Sequence, residues 1–253
     1  MNDFNSFSSR DKAVLFGLYL SRFDTYGLNE FGFSGFREAY NVMGYAVNEI
    51  PKSIQNYRDE FDPYFPNPRK GWRNRKLRDY CKYIMDLCQN MTFDEMTRIV
   101  KIFLFDSSAE LEIEKNKEKV FKKESNECVA TRLITGRAAE NYFVSKYPEI
   151  DVFQKYSLTD TTNLGCGFDY KLTFGESLYY VEVKGLNNKR GNILMTEKEH
   201  DVAGLMKERY CLFIVKNFIE KPEHQLIFNP LYSGLSFERH ERKVIQVSYS
   251  SII

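Results

Sequence analysis

The run Tyr179-Tyr180-Val181-Glu182-Val183-Lys184-Gly185 constrains this 253-residue chain more than any other segment. Side chains alternate faces along a strand, so Val181 and Val183 point into a core while Glu182 and Lys184 project together from the other face. A charged pair on an otherwise apolar strand is costly unless the two groups pair or are put to use. Upstream, Cys166-Gly167-Phe168-Asp169-Tyr170-Lys171-Leu172 also alternates, and Phe174-Gly175-Glu176-Ser177 supplies a turn. The two segments read as a β-hairpin, which brings Asp169 beside Glu182 and Lys184.

Two carboxylates at close range repel, and a hard, oxygen-seeking cation such as Mg²⁺ relieves the repulsion. Asp169 and Glu182 are read as metal ligands, with the backbone carbonyl of Val183 as a third and Mn²⁺ as a substitute ion. Such an ion polarises a phosphate and lowers the pKa of a bound water, while Lys184 orients the nucleophile and offsets charge in the transition state. The reaction implied is phosphodiester hydrolysis. The bare spacing also describes an ordinary edge strand whose Glu and Lys pair, and the surroundings must separate the two readings.

Upstream, Gly136 to Phe143 reads as a helix, with Val129, Leu133, Ala139, Tyr142 and Phe143 as its buried stripe and Glu140 facing the metal. Downstream, Gly191 to Thr196 reads as a short strand, and Thr196-Glu197-Lys198-Glu199 opens a helix with capping-box spacing. Tyr210 to Val215 is a continuous apolar run suited to a sheet centre. This order, with Glu140, Asp169, Glu182 and Lys184, resembles the PD-(D/E)xK nuclease superfamily, which has the restriction-endonuclease fold. More narrowly, Gly165-Cys166-Gly167-Phe168-Asp169, Val181 to Gly185, and Thr196 with Glu199 look like the family named after the C-terminal domain of the protein NO VEIN, whose members accompany restriction and other DNA-processing modules. The resemblance covers roughly residues 129 to 218. It implies an α/β/α domain with a central mixed sheet, catalytic roles for Asp169, Glu182 and Lys184, an accessory acid at Glu140, and Thr196 and Glu199 adjacent to the site. Phe168 stands where the superfamily signature has proline, which is not a ligand.

A chain of this length, 43% hydrophobic, can form two modest cores. The expected division is a mostly helical domain over 1–108, a charged helical connector over 109–128, and the α/β domain over 129–253. No run approaches the roughly 20 apolar residues needed to span a bilayer. Five scattered cysteines and three histidines show no zinc-finger spacing, and they read as reduced thiols of a cytoplasmic protein. No serine or cysteine nucleophile has a suggestive neighbour, and His200 beside Glu199 is the sole histidine near the candidate site.

The net charge of +1 hides an uneven distribution. Between Arg69 and Arg78 lie six basic residues, no acid and the only tryptophan. Helices are expected near 10–23, 34–47, 51–61, 76–90 and 92–103, the third opened by Pro51, which suits a first turn. Short helices followed by a proline-containing loop and a basic segment are compatible with a helix-turn-helix or winged-helix domain that reads DNA. Lys52, Ser53, Gln55, Asn56 and Arg58 of the third helix offer base-reading side chains or a solvated face. Arg69, Lys70, Arg73, Arg75, Lys76 and Arg78 would neutralise phosphates, with Trp72 stacking or packing. Gln225 to Phe228 and Val244 to Tyr249 read as two further strands.

The leading expectation is a Mg²⁺-dependent DNA endonuclease of restriction type. It would act on double-stranded DNA as a homodimer, with a cognate methyltransferase as a further partner. The alternatives are a DNA-binding or scaffold component of a defence complex whose nuclease-like domain does not cut, or an RNA-directed nuclease. If all six basic residues of the 69–78 segment contact phosphates, the logarithm of DNA affinity falls with log salt at a slope of about −5. A Lys70/Arg73/Arg75 triple alanine variant should flatten that slope in a salt titration, and an unchanged slope removes the segment from the interface.

Overall fold

The computed structural model describes residues 3–72, 75–105 and 126–241. The first half is helical: α1 (Ser9–Glu30), α2 (Phe36–Ala46), α3 (Pro51–Phe61), α4 (Asp79–Cys88) and α5 (Phe93–Leu104). Then follow α6 (Asn126–Lys146), β1 (Ser157–Asp160), β2 (Tyr170–Phe174), β3 (Ser177–Gly185), α7 (Glu197–Met206), β4 (Tyr210–Lys216) and β5 (Glu223–Phe228). The protein is thus an α+β mixture, a helical half followed by a five-stranded mixed sheet with helices. The expected connector over 109–128 lies outside the described residues except where α6 begins, and the strand expected at Val244 to Tyr249 lies outside them entirely.

The strands lie in sequence order, and the β3–β4 pair is parallel while the other three pairs are antiparallel. Parallel neighbours need a crossover, and the segment from Leu186 to Arg209 with α7 supplies it. Gly191 to Thr196, expected as a strand, is irregular. Both hydrogen-bonding edges of β3 are already filled, by β2 and β4, so the segment cannot pair beside the strand it follows. β2 starts at Tyr170, because Gly165 and Gly167 take positive φ (56° and 92°) and bend the preceding chain out of the sheet.

Alternation along β3 and β4 sorts the two faces of the sheet. Val181, Val183, Cys211, Phe213 and Val215 pack with Ile134, Ala138, Ala139 and Phe143 of α6 in one core, where Phe143 lies 4.8 Å from Phe213 and 5.1 Å from Tyr170 between ring centroids. α6 comes so close that a Cβ on Gly185 would sit 2.7 Å from the Thr135 carbonyl oxygen and 3.1 Å from Ala139 Cβ. On the opposite face α7 packs loosely, burying only Ala203 fully.

The other flank of α6 meets the helical half. Thr131 Oγ1 donates to the Phe31 carbonyl (2.8 Å), Asn141 Nδ2 to those of Tyr45 (2.9 Å) and Ala46 (3.3 Å), and Asn41 Nδ2 to that of Phe218 (2.6 Å). Within the helical half α3 lies against α1, where a Cβ on Gly17 would come within 2.5 Å of Tyr57 Cβ. α1 runs past its expected end at residue 23 through a break at Asp24, whose φ is 47°.

Three arginines expected at a DNA surface are used inside this half. Arg58 is buried beneath the Phe36 and Tyr40 rings and pairs with Asp59 at 2.6 Å. Arg69 binds buried Asp62 with two parallel hydrogen bonds (2.8 and 2.9 Å) and reaches Asp24 at 3.1 Å, while Ser21 Oγ also donates to Asp62 (2.8 Å). Arg78 donates from its backbone N–H (2.8 Å) and from Nε (2.7 Å) to the buried Glu60. The acids Asp24, Glu60 and Asp62 thus withdraw Arg58, Arg69 and Arg78 from the expected phosphate and base contacts. Removing one partner of a buried pair strands the other, so Asp62→Ala should cost about 3–5 kcal/mol in urea unfolding of the full chain. A loss below about 1 kcal/mol would show that the network is solvated.

Candidate active site

β3 carries the candidate side chains because its register is fixed on both sides. Glu182 stands opposite Leu212 and Lys184 opposite Ile214, on the face away from α6. The hairpin ladder ends at the Tyr170–Val181 pair. One residue earlier, the Asp169 N–H still donates to the Val181 carbonyl (3.0 Å), and Asp169 Oδ2 accepts the Val183 N–H (2.8 Å). The carboxylate therefore takes the ladder position that the next residue of β2 would fill. A strand residue's N–H and C=O leave by the same edge, so the Val183 carbonyl faces the Asp169 side as well.

Glu182 is 3% exposed. Lys184 Nζ lies 2.6 Å from Glu182 Oε1 and 2.7 Å from Glu199 Oε2. Burial pushes the Asp169 carboxyl up to about 6, against the opposing pull of the Val183 N–H and Lys184. Burial, then the charge of Asp169, pushes Glu182 up to about 8, against Lys184. Burial works to lower the Lys184 pKa, but Glu182 and Glu199 outweigh it and hold the ammonium protonated. One cation thus stands among three carboxylates.

That imbalance is what a hard divalent cation would correct, and its oxygen donors fit one: Asp169, Glu182 and the Val183 carbonyl. Among the described residues no group of three or more His, Cys, Asp or Glu side chains forms a metal cluster, so water would complete the shell. Glu140 stands on α6. With Asp160 and Asp169 its charge acts on the hydroxyl of Tyr170, whose pKa is raised first by burial.

The capping-box spacing predicts Glu199 as a helix cap, and it is one: Thr196 Oγ1 accepts the Glu199 N–H (3.2 Å) and Glu199 Oε2 accepts the Thr196 N–H (3.1 Å). The same Oε2 accepts from Lys184, a second role that only the sheet-to-helix geometry reveals. Phe168 packs its ring 4.8 Å from that of Tyr180. A cleft of about 1200 Å³ lies beside the start of α7, lined in part by Thr196, Glu197, His200, Phe237 and Arg239. His200 is half exposed there, its ring 6.1 Å from Phe237.

The remaining expected DNA contacts lie elsewhere, on the helical half. Lys52 is exposed and donates to Gln55 Oε1 (2.9 Å), while Ser53 and Asn56 are half-buried. Lys70, Arg75 and Lys76 are exposed, with Arg75 5.1 Å over the Trp72 ring; Arg73 lies outside the described residues. With Arg69 and Arg78 withdrawn, the expected salt slope of this segment falls to about −3.6.

Residues 138–228 match the family described as Protein NO VEIN, C-terminal. The match runs from within α6 to the end of β5, taking in Glu140, Asp169, Glu182, Lys184 and Glu199. No curated protein and no solved structure matches the chain.

Carboxyls whose pKa is raised by folding bind more protons folded than unfolded, so their contribution is favourable at low pH and is lost as pH rises. For Asp169 and Glu182 the window runs from about pH 4 to pH 8. Metal-free protein should therefore lose thermal stability across that range. Glu182→Gln should flatten the loss and raise Tm at pH 8 by about 2–4 °C. Identical pH profiles for the variant and the parent would mean that Glu182 ionises without cost.

Proposed function

We propose that this chain is a Mg²⁺-dependent DNA endonuclease with PD-(D/E)xK chemistry, built on a restriction-endonuclease-like domain. The observation that carries the reading is the convergence of Asp169 and Glu182 at one edge of β3, with Lys184 held between Glu182 and Glu199. A similar stretch in the NO VEIN C-terminal family supports it.

The bound ion would polarise the scissile phosphate and acidify the attacking water. Asp169 and Glu182 would hold that ion, and the N–H of Val183 keeps Asp169 from rotating away. Lys184, charged and fixed from two sides, orients the water and meets the negative charge that develops on the phosphoryl oxygens. Water oxygen forms a bond to phosphorus, the bridging P–O bond breaks, and the products are a phosphomonoester and an alcohol. Exposed Lys52, Lys70, Arg75 and Lys76 and half-buried Gln55 on the helical half would position a duplex, partly through phosphates. One such centre per chain cuts one strand at a time, so cleavage of a duplex calls for a homodimer or successive nicks.

Incubation of the purified protein with supercoiled plasmid and Mg²⁺ should convert it to nicked or linear forms. Lys184→Ala should slow the conversion by at least about 100-fold, since the variant loses a charge aimed at the transition state. Metal-dependent cleavage of RNA in preference to duplex DNA would redirect the substrate. DNA binding with no cleavage in any divalent ion would favour a scaffold role.

A further inference from the structure

Asp169 lies on a short loop just before β2, and a ligand on a loop holds a metal only as well as the loop itself is held. Two side chains from other elements hold this one. Thr161, at the end of β1, is buried and donates its backbone N–H to the Asp169 carbonyl (2.9 Å). Its Oγ1 lies 2.9 Å from the same carbonyl and 3.2 Å from that of Phe168. From the opposite side, the fully buried Tyr210 at the start of β4 donates its hydroxyl to the Gly167 carbonyl (3.0 Å). Gly167 can sit there because it has no side chain: a Cβ would meet Val202 Cγ2 of α7 at 2.8 Å, and its φ is 92°.

The Tyr210 ring crosses beneath α7 on the sheet face that carries Glu182 and Lys184, since Tyr210 stands opposite Tyr180 in the parallel register. Its hydroxyl is spent on a backbone carbonyl. We propose that Thr161 and Tyr210 are positioning residues that clamp the 165–169 loop from its two sides and set the Asp169 carboxylate for the metal. The inference rests on the metal-dependent reading of the site. Neither residue touches the ion or the reacting atoms. Each acts through the backbone of Gly167 to Asp169, and hydrogen bonds that orient metal ligands from outside the coordination shell are typically worth about 10–100-fold in affinity.

Titration of the full chain with MnCl₂ by isothermal calorimetry, and by the loss of the free Mn²⁺ paramagnetic resonance signal, tests this without reference to activity. Tyr210→Phe keeps the ring and removes the donor, and Thr161→Val keeps the shape and removes Oγ1. Each should weaken Mn²⁺ binding by about 10-fold or more. Thr161→Ser, which retains the hydroxyl, should bind within about 3-fold of the parent, and this rescue separates positioning from packing. Melting temperatures of all variants are measured alongside, so that a variant that fails to fold is recognised and the remaining two decide. Affinities unchanged in Tyr210→Phe and Thr161→Val, or Thr161→Ser as weak as Thr161→Val, would overturn the inference while leaving the metal site standing. A parent chain that binds no Mn²⁺, with Asp169→Asn indistinguishable from it, would overturn the metal reading itself and this inference with it.

Discussion

A helix carbonyl can press against a strand only where the strand has no side chain, and at Gly185 the carbonyl of Thr135 does so. From that contact α6 takes its height above the sheet, and Ala138, Ala139 and Phe143 are small or flat enough to fill what remains over Val181, Val183 and Phe213. The same helix turns Thr131 and Asn141 toward carbonyls of the helical half. A displacement of α6 would therefore be felt at once in the α2 contact and in the strand that carries Glu182 and Lys184.

The two halves handle buried charge in opposite ways. In the helical half two buried acids meet arginines: Asp62 has Arg69 and Ser21, and Glu60 has Arg78 through side chain and backbone. Those pairs are close to neutral and complete, which is how a fold tolerates ions in its interior. On the sheet, Lys184 alone faces Glu182 and Glu199, with Asp169 held nearby by a backbone N–H. The strained arrangement persists because the surroundings fix the acids in place, and perturbed carboxyl groups of this kind cluster at functional sites.

Which features were legible in the sequence follows from how local their causes are. Pro51 marks the start of α3, and the strand alternation of Tyr179 to Gly185 places Glu182 and Lys184 on one face, because both are properties of neighbouring residues. β1 escaped notice: Ser157 to Asp160 is four residues long and mostly exposed, with no apolar alternation to announce it. Gly191 to Thr196 has the composition of a strand, but both edges of β3, which it follows, are taken. Arg58, Arg69 and Arg78 resemble phosphate contacts when only charge is counted. Arg58 pairs with its chain neighbour Asp59, but the partners of Arg69 and Arg78, namely Asp62, Asp24 and Glu60, lie at least seven residues away in sequence and meet them only in the fold. Thr161 and Tyr210 carry no signal at all in sequence, since a hydroxyl aimed at a backbone carbonyl leaves no pattern.

Glu199 Oε2 serves two donors, the Thr196 N–H and the Lys184 ammonium. A single oxygen shared in this way ties a helix–coil equilibrium to the orientation of a side chain on a strand. When the first turn of α7 frays, Lys184 loses one of its two anchors; when Lys184 is neutralised, as by acetylation, the cap loses its charged competitor and its geometry relaxes. Because α7 buries only Ala203, little else resists that fraying. An element with so little buried surface opens at low cost, and opening of its first turn would release one of the two anchors of Lys184.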